Sequence, residues 1–355
     1  MSAKSTVPDP DGISEKVISL TLSVLGEEIL ELFNKCLSEG TVPSCWKVSK
    51  LVLLPKPGKD LDSPAAYRPI CLLNEVGKLY ERVVLNRVMT HLKNVGPDLH
   101  EHQYGFRPGR STTDVIKRVK DILKGSVKQG GIALAVSVDI VNAFNSMPWK
   151  AIGDGLRSHG LPAYIIKTIT SYVAGRTTEY SQGDGMTRRP IDRRVPQGSV
   201  LGPLLWNLEY NDVLHVALPT GVYITCYADD TLLVACGKEW TRTIRLMETG
   251  LAMLTRKITN LGLEMAVQKT EAAWFHGLPR NRHPPASWIA VGGERIPVGR
   301  TIKYLGLTLD GRLNFEAHFS QVVSRVERTA LSLGRIMPNI GGPREKVRRL
   351  YMSVI

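Results

Sequence analysis

Two aspartates stand side by side, Asp229 and Asp230, in the stretch VYITCYADDTLLVACG. The apolar runs on either side predict two strands joined by a turn at Ala228–Asp230, which puts both carboxylates at the tip of a hairpin. Adjacent carboxylates repel one another, and Asp is depleted in strands, so the pair needs a compensating charge. A divalent cation such as Mg²⁺, which prefers oxygen ligands, supplies that charge. Ordinary turn chemistry is the alternative explanation for such a pair.

A third carboxylate, Asp139, lies within the run IALAVSVDIV that follows Gly130 and Gly131. The run is typical of a buried strand, so Asp139 is expected where that strand ends. Three carboxylates on separate strands suit a two-metal site, in which ions roughly 4 Å apart stabilise the attacking and leaving oxygens of phosphoryl transfer. The sequence therefore predicts a phosphoryl-transfer centre.

Helix-like and strand-like segments alternate irregularly along the chain, which predicts an α+β fold. Apolar residues at helical spacing predict helices at residues 14–39, 76–88, 150–175 and 240–261, and a further helix that begins at Pro343. Strands are predicted at Val48–Leu54, 271–276 and 303–309, and a polar hairpin or loop at 176–196. The helix from Pro343 shows no terminating signal before Ile355, which predicts an incomplete last element.

The composition favours a polyanionic partner. The 355 residues carry a net charge of +13, and residues 1–45 contribute −4, so the other 310 carry +17. Charge alone does not distinguish nucleic acid from an anionic membrane. Two basic clusters are candidates for phosphate contacts, with a solvated charged face as the alternative for each. They are Arg176, Arg188, Arg189, Arg193 and Arg194, and Arg325, Arg328, Arg335, Arg344, Lys346, Arg348 and Arg349.

Cysteine usage and apolar patterning exclude several classes of protein. The five cysteines are odd in number and contain no CxxC pair, which argues against a disulfide framework and a zinc site. The N-terminal MSAKSTVPDPDGIS lacks the apolar segment of a signal peptide. No apolar run reaches the ~18–20 residues needed to cross a bilayer. We therefore expect a soluble, intracellular protein without a membrane partner.

Eight segments resemble, in order, the motifs of LINE-type (non-LTR) retrotransposon reverse transcriptases, with an arthropod-like clade as the best match. PDPDGIS is similar to their most N-terminal motif, LLPKPGKD with SPAAYRPICLLNEVGKLYERVVLNRV to their fingers motifs, and HQYGFRPGRSTTDVI to the segment between fingers and palm. VSVDIVNAFNSMPW, RRVPQGSVLGPLLWNLEYND, CYADDTLLV, GLEMAVQKTEAAWF and KYLGLTLD resemble motifs A to E. Each segment alone is weak, but together they cover nearly the whole chain.

The resemblance implies a right-hand polymerase of the α+β class, with an antiparallel palm sheet. Residues 1–130 would form the fingers and the fingers–palm connection. Residues 131–312 would form the palm, including a fingers insertion around 152–196. Residues 313–355 would form the start of a truncated thumb.

The resemblance also assigns roles to the carboxylates and to one lysine. Asp139, Asp229 and Asp230, with the backbone carbonyl of Ile140, would bind two Mg²⁺ ions, which Mn²⁺ could replace. Lys269 matches a lysine that donates a proton to the leaving pyrophosphate, with a solvated surface lysine as the alternative.

Five further residues would form the nucleotide pocket. Arg68 would contact the triphosphate, and so would Lys56, for which an exposed turn lysine is the alternative. Gln197 and Gly198 would line the nucleotide and template pocket, since glycine lets a backbone approach a ligand closely. Phe144 would exclude the ribose 2′-OH and so favour dNTPs, with a core phenylalanine as the alternative.

The function implied is RNA-directed DNA synthesis, the addition of dNMP to a primer 3′-OH with an RNA template, a DNA primer and dNTPs as partners. The nucleus is the expected compartment, although no clear targeting signal is present. A group II intron maturase or other cellular reverse transcriptase is one alternative, against which PDPDGIS and HQYGFRPG argue. A truncated, non-catalytic retroelement fragment that only binds nucleic acid is the other. The sequence leaves the oligomeric state and the target-site choice open.

Overall fold

The apolar run after Gly131 forms the strand on which the largest sheet is built. The computed structural model describes residues 11–13, 15–183, 185–191, 195–279, 281–336, 345 and 349. The helix predicted from Pro343, most of PDPDGIS, and Arg193, Arg194, Arg344, Lys346 and Arg348 of the basic clusters lie outside the described residues. No helix in the described part of the chain is long and apolar enough to cross a membrane.

The helices and strands follow one another in an α+β order. The α-helices are α1 (Glu15–Val24), α2 (Gly26–Glu39), α3 (Glu75–Asn94), α4 (Thr112–Lys128), α5 (Ala143–Ser146), α6 (Trp149–Ser158), α7 (Ala163–Val173), α8 (Gly202–Leu214), α9 (Trp240–Asn260) and α10 (Glu316–Ile336). The strands are β1 (Val48–Pro55), β2 (Tyr67–Leu73), β3 (Ile132–Val138), β4 (Thr177–Gln182), β5 (Gly185–Pro190), β6 (Val222–Tyr227), β7 (Asp230–Gly237), β8 (Glu271–His276), β9 (Trp288–Val291), β10 (Glu294–Gly299), β11 (Thr301–Tyr304) and β12 (Leu307–Asp310).

A six-stranded sheet has the order β6-β7-β3-β8-β10-β9. Strand β3 is antiparallel to both of its neighbours, and β8 and β10 form the one parallel pair among the described strands of this sheet. Leu134 and Val136 of β3 belong to the larger apolar core, which also contains residues of α8 and α9. Ala133 and Ala135 belong to a second core, shared with α4, β11 and β12. Because both faces of β3 are covered, its sequence is apolar without alternation.

Helix α4 was not predicted, although its local signals are clear in the structure. Ser111 and Asp114 form a capping box at its start, with each side chain bonded to the other residue's backbone N–H. Val115, Val119 and Leu123 are its buried stripe, and they pack on the six-stranded sheet. The apolar residues of α4 recur at helical spacing between polar ones, so the sequence does carry the signal of an amphipathic helix here.

A smaller sheet brings together segments that are distant in the chain. Its order is β2-β1-β4-β5, with β1 antiparallel to β2 and parallel to β4. The predicted polar hairpin at 176–196 is confirmed as β4 and β5. Residues 48–73 therefore share one sheet with residues 177–190.

Three predicted elements are each two elements in the structure. The helix predicted at 14–39 is interrupted at Leu25, between α1 and α2. The helix predicted at 150–175 is divided into α6 and α7 by Gly160, whose φ of 63° is left-handed, and by Pro162. The single strand predicted at 303–309 is wrong, because Leu305 and Gly306 form a two-residue turn with φ values of 48° and 81° that separates β11 from β12. Turns of this kind usually begin with Asn or Asp, so Leu305 gave no signal.

Helix α8 is almost completely buried, and it carries an ionisable side chain into the core. Glu209 is 2% exposed, and neither carboxylate oxygen has a hydrogen-bond partner among the described residues. Burial raises the pKa of Glu209 from its ordinary 4.5 to about 8. The folded state therefore keeps this carboxyl protonated over a pH range in which the unfolded state ionises it.

We predict that Glu209→Leu stabilises the protein, and increasingly so as pH rises. In the wild type, the folded state binds the Glu209 proton more tightly than the unfolded state does. The contribution of this proton to the free energy of unfolding is fully present below pH 4.5 and is lost as pH rises through about 8, because only the unfolded state releases the proton between these values. Removing an unsatisfied buried group should raise the free energy of unfolding at pH 8 by about 1–3 kcal/mol. Thermal unfolding at pH 5 and pH 8 measures this. Glu327→Leu, on an exposed position of α10, is the control and should not reproduce the pH dependence. A gain for Glu209→Leu that is independent of pH would contradict this explanation.

Candidate active site

Strand register brings the three predicted aspartates to one end of the six-stranded sheet. Val138, the last residue of β3, pairs with Thr231 of β7, so Asp139 and Asp230 occupy the next positions on neighbouring strands. Asp229 lies in the turn that joins β6 to β7, where Tyr227 pairs with Asp230. The prediction of a strand–turn–strand at these residues is confirmed.

A cleft of about 160 Å³ opens beside these strand ends. Its walls carry both acidic and basic side chains. They include Asp139, Asp230, Lys269, Glu271, Lys303 and Tyr304. Lys303 and Tyr304 belong to β11, so the hairpin β11–β12 forms one side of the cleft.

The turn that joins β6 to β7 is held in place by Gln103, which is buried at 1% exposure. The Gln103 side chain accepts a hydrogen bond from the Ala228 backbone N–H (2.9 Å) and donates one to the Ala228 carbonyl (3.1 Å). Ala228 has a φ of 59°, a conformation that an alanine rarely adopts. The two bonds fix the peptide groups on both sides of Ala228, and with them the start of the Asp229–Asp230 pair.

Gly105 allows this support to approach the turn. A Cβ at Gly105 would lie 2.1 Å from the Ala228 backbone nitrogen, far inside van der Waals contact. The Gly105 N–H donates to Gln103 (3.0 Å), and its carbonyl accepts from the Asn207 side chain of α8 (2.8 Å). Gln103 and Gly105 lie in the segment HQYGFRPG, but no role was predicted for either residue. The signal was a Gln and a Gly two residues apart in a segment with no helical or strand periodicity of its own.

The site holds an excess of negative charge, which Lys269 compensates only in part. Asp230 is exposed to solvent in part, yet the surrounding protein, and then the charges of Asp229 and Asp139, raise its pKa to about 6. Burial, and then the charge of Asp139, raise the pKa of Asp229, whereas Lys269 acts in the opposite direction. Asp139 is therefore close enough to Asp229 and Asp230 for its charge to oppose their ionisation.

Lys269 is the cation that the fold places among these carboxylates. It ends a single 3₁₀ turn at Val267–Lys269, and its Nζ lies 2.7 Å from Asp139 Oδ2. The Lys269 side chain is 67% exposed and that of Asp139 is 30% exposed. The structure thus brings the predicted Lys269 to the predicted Asp139, at the edge of the cleft.

The donor set fits a hard divalent cation. Among the described residues, no three acidic, histidine or cysteine side chains form a group that could by itself hold a metal ion. Mg²⁺ does not require such a group, since it typically takes one or two carboxylates and completes its shell with water and substrate phosphates. The raised pKa values of Asp229 and Asp230 give the electrostatic reason for a cation there.

Ile140 follows Asp139 and is buried. Its backbone forms an isolated antiparallel bridge with Met265. The two hydrogen bonds of that bridge join the Val141 N–H to the Glu264 carbonyl and the Ala266 N–H to the Asp139 carbonyl, both at 2.8 Å. Neither bond uses the Ile140 carbonyl, the atom that was predicted to assist metal binding.

The predicted nucleotide residues lie on β2 and on the loop before α8. Arg68 is an exposed residue of β2, and Lys56 lies just beyond β1, where its N–H donates to the Ala66 carbonyl (2.7 Å). The Gln197 carbonyl accepts from the Cys71 N–H of β2 (2.8 Å). Gly198 has a φ of 121°, and a Cβ there would lie 2.6 Å from the Cys71 carbonyl. The loop therefore crosses β2 three residues beyond Arg68.

Phe144 is half-buried in an aromatic row rather than enclosed in the core. Its ring centroid lies 5.5 Å from that of Trp206 and 6.0 Å from that of Phe106. Phe144 follows Asn142, which has a left-handed φ of 49°, on the short helix α5. The ring is thus held from two sides only five residues after Asp139.

The prediction that the first basic cluster contacts phosphates is wrong for Arg176. Arg176 is 1% exposed, with its guanidinium stacked 4.7 Å from the centroid of the Tyr172 ring, so it does not face a phosphate at the surface. Arg188 and Arg189 are exposed on β5, although Arg188 pairs with Glu179. Arg325 and Arg328 of the second cluster are exposed on α10.

Known proteins are similar to this chain over most of its length. The sequence pattern of the family described as reverse transcriptase (RNA-dependent DNA polymerase) matches residues 54–309. The chain is 31% identical over 352 residues to a 115 kDa protein in the type-1 retrotransposable element R1DM of Drosophila melanogaster, which covers 96% of this chain and 32% of that protein. It is 27% identical over 321 residues to the RNA-directed DNA polymerase from mobile element jockey of the same species, covering 89% and 34%. The chain spans about a third of the length of these relatives.

A solved structure supports the fold. The chain matches apo telomerase from Candida tropicalis, truncated from its C-terminal domain, with a TM-score of 0.51 and 13% sequence identity. The match covers 81% of this chain and 59% of that one. At this sequence identity the similarity is evidence for the right-hand polymerase fold alone. It confirms the predicted fold class.

We predict that Gly105→Ala destabilises the protein by displacing the turn at Ala228. The added Cβ meets backbone and has no flexible side chain to push aside, so the free energy of unfolding should fall by about 1–3 kcal/mol. Gly125→Ala is the matched control, because it lies inside α4 with nothing within 4 Å of its Cβ, and it should stabilise by about 0.5–1 kcal/mol. Urea unfolding compares the two, and a Gly105→Ala variant as stable as Gly125→Ala would show that the close approach at Ala228 is not required.

Proposed function

The chain belongs to the reverse transcriptase (RNA-dependent DNA polymerase) family, among the enzymes of non-LTR retrotransposons, and we propose that it adds deoxynucleotides to a primer 3′-OH under the direction of an RNA template. The observation that carries the proposal is the meeting of Asp139, Asp229 and Asp230 at one end of the six-stranded sheet, with Lys269 beside them. The family does not favour the alternative of a fragment that only binds nucleic acid.

We further propose the division of the chain expected from its sequence. Residues 1–130 are the fingers and fingers–palm connection, 131–312 are the palm with an insertion of the fingers around 152–196, and 313–355 begin the thumb. The pairing of β1 with β4 supports the insertion, because it joins residues of 176–196 to the sheet of the first segment. Helix α4, by contrast, packs on the six-stranded sheet, so the connection contributes to the palm surface.

Reverse transcriptases depend on divalent metal, and two Mg²⁺ ions, or Mn²⁺ in their place, are the proposed cofactors here. Asp139, Asp229 and Asp230, with the Ile140 carbonyl, are the residues that would hold them. Bound divalent ions would supply charge stabilisation for the attacking and leaving oxygens of phosphoryl transfer.

The protein's own contribution is to position groups and to move a proton. The carboxylates are held at fixed strand ends, which pre-organises the site before substrate binds. Lys269 has an exposed ammonium that now pairs with Asp139. In a site with divalent ions bound to Asp139, the Lys269 ammonium would be free to donate a proton to the leaving pyrophosphate.

The remaining predicted residues would bind the incoming dNTP. Arg68, and Lys56 near the same end of the β1–β2 pair, would contact its triphosphate. Gln197 and Gly198 would present backbone and amide groups to the base and sugar. Phe144 would close the space beside the ribose C2′, since its ring is held between Trp206 and Phe106.

An RNA template and a DNA primer are the proposed partners. The net charge of +13 would attract nucleic acid, and the exposed arginines on β5 and α10 would contact its phosphates irrespective of sequence. Copying onto a primer at a chromosomal site would place the protein in the nucleus.

We predict that the wild-type chain extends a DNA primer on an RNA template with Mg²⁺ or Mn²⁺, and that Asp229→Asn abolishes extension. Primer–template affinity should be equal or higher in this variant, because it removes one negative charge facing the nucleic acid. Asp121→Asn, on the exposed side of α4, is the control for charge and should extend normally. A wild-type chain that binds primer–template at low salt but adds no nucleotide with either ion would favour the binding-only fragment.

We predict that Phe144→Ala relaxes sugar selection. A smaller side chain leaves room for the 2′-OH, so the ratio of rNTP to dNTP incorporation should rise by on the order of tenfold or more, with a modest loss of dNTP activity. Single-nucleotide incorporation with paired rNTP and dNTP substrates measures the ratio. An active Phe144→Ala variant with an unchanged ratio of rNTP to dNTP incorporation would show that Phe144 has only a structural role.

A further inference from the structure

A buried carboxylate from another helix lies beneath the loop that contains Gln197 and Gly198. Glu81 of α3 is 4% exposed. One of its oxygens, Oε2, accepts hydrogen bonds from two consecutive backbone N–H groups, those of Val200 (2.7 Å) and Leu201 (3.0 Å). Neither the motifs nor the family resemblance gave Glu81 a role.

Glu81 and Ser199 together supply the acceptors at the start of α8. The N-cap residue of α8 is Leu201, which has no side chain able to accept a hydrogen bond. The first N–H groups of a helix need partners from elsewhere, and a negative charge is favoured at that end. Here Glu81 accepts hydrogen bonds from the N–H groups of Val200 and Leu201. The Ser199 hydroxyl accepts a hydrogen bond from the Gly202 N–H (3.0 Å).

A second buried charge stands near Glu81. Arg176 is 1% exposed, and its Nη1 donates to the Tyr172 carbonyl (3.1 Å). Burial raises the pKa of Glu81, while the Leu201 N–H and the Arg176 charge act to lower it. The buried Arg176 therefore favours the charged form of Glu81.

The loop is tied to two separate elements. On one side the Gln197 carbonyl is bonded to the Cys71 N–H of β2, the strand that carries Arg68. On the other side Glu81 holds the residues that follow Gly198. Gln197 and Gly198 lie between these two anchors, so their position relative to Arg68 is set by both.

We propose that Glu81 is a positioning residue for the incoming nucleotide, which holds the loop of Gln197 and Gly198 at the distance from Arg68 that nucleotide binding requires. The inference rests on the proposed function, because it assigns the nucleotide to that loop. A loop that has lost this anchor must be ordered when the nucleotide binds, and the loss appears as weaker binding. The contact is equal before and during reaction, so the KM for dNTP changes more than kcat does.

Hydrogen exchange tests the anchor without requiring catalysis. In Glu81→Leu, amides in the segment 196–205 should exchange on the order of tenfold faster than in the wild type, since two of them lose their acceptor. Glu209→Leu is the matched control: the same substitution, at a buried glutamate on α8 that accepts no hydrogen bond from the described residues. It should leave this segment protected. Glu81→Gln keeps an acceptor oxygen and should give an intermediate rate, even if Glu81→Leu folds poorly.

Steady-state extension then tests the role. Glu81→Gln should raise the KM for dNTP several-fold and Glu81→Leu on the order of tenfold, while kcat and the Kd for primer–template stay within about twofold. Glu209→Leu should change none of the three. Unchanged exchange in a folded Glu81 variant overturns the proposal, and so does equal weakening of dNTP and primer–template binding. An inactive wild type would count against the proposed function alone, since the exchange result would still decide whether Glu81 anchors the loop.

Discussion

Like charges held together are the constraint on which the rest of this structure depends. The charge of Asp139 opposes the ionisation of Asp229 and Asp230, the charge of Asp229 opposes that of Asp230, and an unconstrained chain would separate these groups. Antiparallel pairing of β3 with β7 prevents this, because Val138 and Thr231 are locked in register, and Asp139 follows Val138 while Asp230 precedes Thr231. Both apolar cores cover β3, so the burial of its two faces stabilises an arrangement that is locally unfavourable. The repulsion that remains is what a divalent cation would relieve.

Two buried polar side chains extend this rigidity from the strands to the loops. Gln103 bonds the peptide groups around Ala228 behind the carboxylates, and Glu81 bonds the peptide groups that lead into α8. Each meets backbone that strands and helices leave unpaired, and an unpaired buried N–H is costly. Both come from segments that precede β3 in the chain. The part of the molecule before residue 131 therefore orients the site that the six-stranded sheet carries.

The candidate site residues were easier to predict from the sequence than the residues that support them. Asp139, Asp229 and Asp230 could be recognised because acidic residues interrupt apolar strands, and the hairpin between β6 and β7 followed from the same pattern. Gln103, Gly105 and Glu81 could not, since their importance comes from contacts with residues more than 100 positions away. Arg176 was misplaced for a related reason: a surface arginine and a buried one look the same in a sequence. The turn at Leu305 was missed because the residue expected at a left-handed position is Asn, Asp or Gly.

Binding of Mn²⁺ in the presence of primer–template and dNTP, followed by electron paramagnetic resonance, tests the central claim most directly. The claim is that the three aspartates form one cation site whose negative charge Lys269 compensates only in part. The account predicts Mn²⁺ binding that Mg²⁺ displaces in the wild type, that is strongly weakened in Asp139→Asn and in Asp229→Asn, and that is unaffected in Asp121→Asn. Equal Mn²⁺ binding in all four proteins would contradict it, because the cations would then be held by the nucleic acid and the nucleotide alone.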